Sequence, residues 1–192
     1  TRSDRDWSSD VCSSDLLGYA IGDPADILTI NLKDSPGVNI TLSGSKADTI
    51  TTVAKYNTAG KAILSLLNSL EINQGFNVHI EKGVPPGSGL GSSAASAAAA
   101  VVGVNELLGN PLKLEELLVH GMAGEAVASG EFHADNIAPS LFGGMILIRS
   151  YDPLDILQLP VPENLFSTAV LPDFSVNTKD ARRMLPKRVP LK

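Results

Sequence analysis

The chain has 192 residues, 43% of them hydrophobic and 19% charged, and a formal net charge of −6; this is enough for one full domain and part of a second. The negative balance argues against a nucleic-acid surface, so an anionic ligand would have to be held locally by backbone donors and a metal ion. The longest apolar run, residues 94–104, is too short and alanine-rich to span a bilayer, nothing before it reads as a signal peptide, and the single Cys12 excludes an internal disulfide framework; a cytoplasmic protein without a membrane partner is expected.

Residues 1–14 are rich in Ser, Asp and Arg, follow neither a helical nor a strand period, and contain the lone Trp and Cys, so they read as a tag, cloning scar or artefact outside the fold. From Leu16 the pattern becomes globular. Residues 27–32 and 38–42 are β-rich and joined by Asp34-Ser35-Pro36-Gly37, which predicts a hairpin. Ile63, Leu66, Leu67 and Leu70 keep helical spacing, so a helix covers at least residues 58–70. In the strand predicted at 76–81, Phe76, Val78 and Ile80 point one way and Asn77, His79 and Glu81 the other, which leaves His79 solvated.

The stretch Val84-Pro85-Pro86-Gly87-Ser88-Gly89-Leu90-Gly91-Ser92-Ser93-Ala94-Ala95 follows. Its alternate glycines permit positive φ and keep side chains away from the main chain, so that a row of N–H groups can face one anion. Ser92 or Ser93 is expected to cap the helix at 94–108, whose N-terminus adds unpaired N–H groups and the positive end of its dipole. The turn has no Gly-Lys-Ser/Thr and its glycines run G-x-G-x-G, so it is neither a P-loop nor a dinucleotide fingerprint. Gly109-Asn110-Pro111 ends the helix, a second helix covers about 113–129 before Gly130, and residues 142–148 read as a strand opened by a glycine pair. Strands near 156–159 and 166–171 and a short helix from Asn177 or Thr178 carrying Arg182 complete the chain. The fold class is α+β, with strands 27–32, 38–42, 76–81 and 142–148 in one sheet and the helices on one of its faces. The expected division is 15–150 for the first domain and 151–192 for the opening of a second.

Three places could carry chemistry. Glu125 continues the stripe of Leu114, Leu118 and Gly121, so its carboxylate faces inward and needs a cation, a metal or several donors, unless the helix end frays and lets it reach water. With a serine hydroxyl from the turn it would suit a magnesium ion bridging phosphates. His133-Ala134-Asp135-Asn136 is either a plain turn or a substrate loop. Arg182 is either solvent-facing or a clamp for a planar carboxylate or phosphate.

The turn resembles, residue for residue, the nucleotide-binding motif of the GHMP kinases. The segment from Glu125 through His133-Ala134-Asp135-Asn136-x-Ala138-Pro139 to Phe142-Gly143-Gly144, with Asn177-Thr178-Lys179-x-Ala181-Arg182, is similar to the homoserine kinases of that superfamily. The resemblance implies a GHMP kinase N-terminal domain of the ribosomal protein S5 domain 2-like type, followed by the start of a ferredoxin-like C-terminal domain. It further implies that Pro85, Pro86, Gly87, Ser88, Gly89, Leu90, Gly91, Ser92, Ser93, Ala94 and Ala95 hold ATP, and that Ser93 and Glu125 ligate Mg²⁺ at the catalytic centre. Asp15, His133, Asn136 and Arg182 would surround L-homoserine, which is phosphorylated on its hydroxyl in threonine biosynthesis. A homodimer is compatible with it, and no general base is assigned. The alternatives are a mevalonate- or sugar-type kinase of the same superfamily and an inactive nucleotide-binding fragment. The family's opening Asn-x-Gly-x-Gly-Phe-Asp turn is matched only at its tail, by Asp15-Leu16-Leu17-Gly18-Tyr19, and its C-terminal glycine-rich motif is missing, so the chain reads as a piece of such a kinase.

Overall fold

Alternation along Phe76, Val78 and Ile80, each at most 1% exposed, makes β4 (Gly75–Lys82) the centre of the larger of the chain's structural layers. In the computed structural model, residues 16–130 and 132–170 and Met184 are described; the leader at 1–14, Asp15, and the helix expected around Arg182 lie outside them. β4 is flanked by β2 (Ile27–Lys33), antiparallel, and β3 (Gly37–Gly44), parallel. The parallel pair is connected through α1 (Thr58–Ser69), as a parallel crossover requires.

The two strands expected to form a hairpin therefore exist but do not pair. The 34–36 connection steps across the end of β4, and a Cβ on Gly75 would stand 1.9 Å from the Ser35 carbonyl oxygen, so only glycine lets the connection pass. β4 takes the middle because its inner face is buried along its whole length, through Phe76, Val78 and Ile80 to Lys82, whereas β2 and β3 are only partly buried.

The helices cover one face of this sheet, as expected, and Asn77, His79 and Glu81 lie exposed on the other. There His79 accepts or donates to Thr41 Oγ1 at 2.9 Å and Ser43 Oγ at 3.0 Å. α2 (Ser92–Leu107) lies among α1, α3 (Leu114–Ser129) and the sheet, and its wholly buried Ala94, Ala97 and Ala100 allow the close approach. Among the described residues no helix is long and apolar enough to cross a membrane.

A second sheet in the order β1-β5-β6 corrects the single four-stranded sheet expected from sequence: β5 (Met145–Tyr151) pairs with β1 (Leu17–Tyr19) and β6 (Leu154–Leu159), not with β2 to β4. Phe142 also closes a short helix, α4 (Ile137–Phe142), where a strand was expected to begin. Pro139 is tolerated because it falls in the first helical turn, where an N–H has no intrahelical partner. β6 hydrogen-bonds along β5, so the expected domain division after residue 150 falls inside this pairing. The strand expected from 166 is absent among the described residues up to 170, where Phe166 is 88% and Val170 86% exposed.

Between α1 and α3, buried His120 sits within 2.9 Å of Ser65 Oγ at Nδ1 and 3.2 Å of Ser69 Oγ at Nε2. Burial lowers its pKa, because an imidazolium there loses its hydration. A depressed folded-state pKa gives stability that is present above the unfolded value, about 6.5, and is lost as pH falls through the folded one. Urea midpoints measured from pH 8 to pH 5 should therefore fall more steeply for the wild type than for His120→Gln; parallel slopes would remove His120 from the acid sensitivity.

Candidate functional site

The glycine turn leaves β4 and re-enters regular structure at Ser92, with φ of +74°, +78° and +70° at Gly87, Gly89 and Gly91. Gly91 itself is the N-cap of α2, and no side chain caps that helix. Neither serine performs the capping role expected of it. Ser92 Oγ donates to the Val84 carbonyl at 2.7 Å, and Ser93 Oγ donates to Glu125 Oε1 at 2.9 Å. Gly91 takes the N-cap position, so Ser92 and Ser93 are already the first two residues of the helix and not its cap. Among the described residues the first N–H groups of α2 thus have no side-chain acceptor, the condition under which a helix start accepts an anion.

Glu125 is brought to this point by the inward face of α3. It is 8% exposed, and Leu118 at 2% and Gly121 lie on the same stripe as predicted. Leu114 does not, being 39% exposed at the first position of the helix, before α3 has reached the core. Among the described residues Glu125 Oε2 has no hydrogen-bond partner. Burial raises the Glu125 pKa, opposed by the Ser93 hydrogen bond; Asp135 raises it further, while His133 and Lys82 act to lower it. A buried carboxylate with one oxygen bonded and one orphaned lacks full compensation for its lost hydration.

The 132–136 loop closes the other side. His133 and Asp135 are near enough for their charges to act on Glu125, and the Asn136 side chain lies against the glycine turn, its Oδ1 3.1 Å from where a Cβ on Gly91 would be. Gly18 of β1 supports the loop from behind: a Cβ there would stand 1.8 Å from the Asp135 carbonyl oxygen. Structure therefore brings the turn, Ser93, Glu125, His133 and Asn136 to one place. A cleft of about 740 Å³ beside Leu90, between the Tyr19–Pro24 loop and Phe166, is lined by neither Glu125 nor His133.

Among the described residues no group of three or more His, Cys, Asp or Glu could hold a metal by itself. The donor set is instead one hydroxyl and one carboxylate, both oxygen, which suits a hard cation that completes its shell with phosphate oxygens and water. The residues present fit Mg²⁺ on that chemistry and on the orphaned Oε2.

Asp26, Lys82 and Ser96 join in a buried network behind the turn and belong to none of the motifs that the sequence displays. The alternation of Phe76, Val78 and Ile80, continued by one step, points Lys82 inward, and that is the available signal.

This topology and this turn define a class. Residues 57–144 match the family model of the GHMP kinases N terminal domain, and the domain is a GHMP kinase N-terminal domain of mixed helices and sheets. The chain is 45% identical over 178 residues to a homoserine kinase of Methanococcus vannielii, covering 93% of this chain and 58% of that protein. It is 42% identical over 191 residues to a homoserine kinase of Chlorobaculum tepidum, covering 94% and 59%. The crystal structure of homoserine kinase from Cytophaga hutchinsonii superimposes with a TM-score of 0.87 at 47% identity, over 92% of this chain and 56% of that one. A mevalonate kinase of L. major, 23% identical with a TM-score of 0.53, shares the fold. The chain thus spans a little under three fifths of the length of the homoserine kinases it matches.

Proposed function

We propose that this chain is the nucleotide- and metal-binding part of an ATP-dependent small-molecule kinase that transfers the γ-phosphoryl group to the side-chain hydroxyl of L-homoserine, giving O-phospho-L-homoserine. The observation that carries this reading is the Ser93–Glu125 pair at the mouth of the glycine turn, with Glu125 Oε2 buried and unpartnered. Phosphoryl transfer asks the protein for positioning and charge neutralisation more than for covalent chemistry. The turn at Gly87, Gly89 and Gly91 supplies backbone donors for the phosphates, and the start of α2 supplies more. Ser93 and Glu125 would hold Mg²⁺, which when bound neutralises charge on the β- and γ-phosphates. His133, whose charge acts on Glu125, and Asn136, whose side chain lies against Gly91, would contact the acceptor, with Asp15 and Arg182, both outside the described residues, completing its binding. Homoserine is favoured over mevalonate or a sugar by the 45% identity to a homoserine kinase, against 23% for the mevalonate kinase.

The test is MgATP turnover by the protein expressed from its complete reading frame, with L-homoserine, mevalonate and galactose as competing acceptors. Transfer to L-homoserine alone is expected; preference for either other acceptor would overturn the assignment.

The Arg182 guanidinium is expected to pair the α-carboxylate of the substrate. A charge-assisted contact of this kind is worth about 1.5–3 kcal/mol, so Arg182→Ala should lower kcat/KM by about tenfold to somewhat over a hundredfold. Lysine should recover only part of the loss, because an ammonium lacks the planar fork. An equal penalty with an acceptor lacking the carboxylate would show that Arg182 is not the clamp.

A further inference from the structure

Immediately behind the glycine turn lies a buried ion pair that the reading above does not use. Lys82 ends β4 on its inner face and Asp26 precedes β2; their side chains are 3% and 1% exposed. Lys82 Nζ donates to Asp26 Oδ2, to the Ser92 carbonyl at 2.8 Å and to Ser96 Oγ at 2.8 Å. An ammonium has three protons, and all three are committed within the protein. Asp26 is equally engaged: Oδ1 accepts from the Gly83 and Val84 N–H groups at 3.1 and 3.0 Å, and Oδ2 from Ser96 Oγ at 2.6 Å as well as from Lys82.

These bonds converge on the two ends of the turn. Val84, which enters it, is held at its N–H by Asp26 and at its carbonyl by Ser92 Oγ; Ser92, which leaves it, is held at its carbonyl by Lys82. Between them, among the described residues, the turn has little bonding of its own: Ser88 N–H to the Pro85 carbonyl at 3.3 Å and Leu90 N–H to Ser88 Oγ at 3.3 Å. A chain so rich in glycine would sample many conformations if its ends were free.

We infer that Asp26 and Lys82 are positioning residues for the glycine turn: the pair sets the separation of Val84 and Ser92, and with it the aim of the turn's N–H groups, without touching the phosphates. The inference rests on the reading that this turn holds the phosphates of a nucleotide. A buried charge pair suits the role because it tolerates little deviation in geometry, and preorganised donors bind without the entropic cost of ordering. The pair adds no net charge beside the anion, and the Lys82 protons are already committed within the protein, so direct contact with the phosphates is left to the backbone.

The experiment uses the full 192-residue chain. Asp26→Asn and Lys82→Met singly each leave a buried charge unpaired and are expected to lower the melting temperature, whereas the double variant carries no unpaired charge and should recover most of it. MgATP affinity, by calorimetry, is expected to remain weaker by about tenfold or more in the double variant. Backbone ¹⁵N order parameters at Gly87, Gly89 and Gly91 in the nucleotide-free protein should fall from about 0.85 toward 0.6 or below. Wild-type affinity with wild-type order parameters in the double variant would overturn the inference. Lost affinity with unchanged order parameters would also overturn it, because Lys82 would then be a direct ligand. If the double variant does not fold, Ser96→Ala removes one bond from each partner without unpairing a charge, and the same two readouts decide. A wild-type chain that takes up no nucleotide would count against the nucleotide reading of the turn, while the order parameters would still decide whether the pair holds it.

Discussion

Glu125→Gln is expected to lower phosphoryl transfer by about a hundred- to a thousandfold, the size of effect seen when one preorganised charge-stabilising group is removed, and yet to leave the metal-free protein more stable at neutral pH. Glutamine keeps the volume of the side chain and an oxygen that can accept from Ser93 Oγ, but it cannot supply the anionic oxygen that a magnesium ion needs. The stability gain follows from the burial of the carboxylate with Oε2 unpartnered. Burial raises its pKa in the folded state. A raised pKa means stability that is present below the unfolded value and lost as pH rises through the folded one, so the carboxylate is a burden at neutral pH and none in acid. In EDTA, Glu125→Gln should therefore unfold at higher denaturant than wild type at pH 7.5, by about 1–2 kcal/mol, and the two should converge toward pH 4. Added Mg²⁺ and ATP should stabilise the wild type and not the variant. A variant that keeps Mg²⁺-dependent nucleotide binding would place the metal elsewhere.

Gly89→Val should weaken MgATP binding by about a hundredfold while leaving the melting temperature nearly unchanged. At Gly89 φ is +78° and a Cβ there would meet nothing within 4 Å, so the penalty is one of backbone conformation and not of collision. A β-branched residue at positive φ costs about 1–3 kcal/mol. The turn has room to relax out of that conformation, and relaxing turns its N–H groups away from a common point. The expected result is thus a loss of binding with little loss of fold, seen by calorimetry and thermal melting on the same samples. Gly91 provides a contrast, since a Cβ there would meet Asn136 at 3.1 Å and would disturb the acceptor side of the site as well. Unchanged affinity in Gly89→Val would remove the turn from the nucleotide site.

The regular elements were legible where a period was long and strict. The inward Phe76, Val78 and Ile80 marked β4, the spacing of Ile63, Leu66 and Leu67 marked α1, and Gly130 marked the end of α3. Elsewhere a local signal had two spatial solutions. The Asp34–Gly37 turn between two β-rich runs suits a tight hairpin, and it equally suits two strands that admit a third between them. In the same way, serines beside a glycine turn signal a helix start without saying whether their hydroxyls cap it. Here Ser92 bonds instead to Val84 at the other end of the turn, and Ser93 to Glu125 on a later helix.

By itself the sequence determined the glycine turn with a helix behind it, and an acidic side chain on the inward stripe of a later helix, because both follow from backbone conformation and from the 3.6-residue period. Only the tertiary structure decided that Glu125 meets Ser93, 32 residues away, that its second oxygen is left unpartnered, and that Asp26 reaches Lys82 across 56 residues. Partners so far apart are selected by the packing of α3 on α1 and α2 and of β2 beside β4. Packing is a property of the assembled layers, in which each side chain takes the space that the others leave, and no local window of residues contains it.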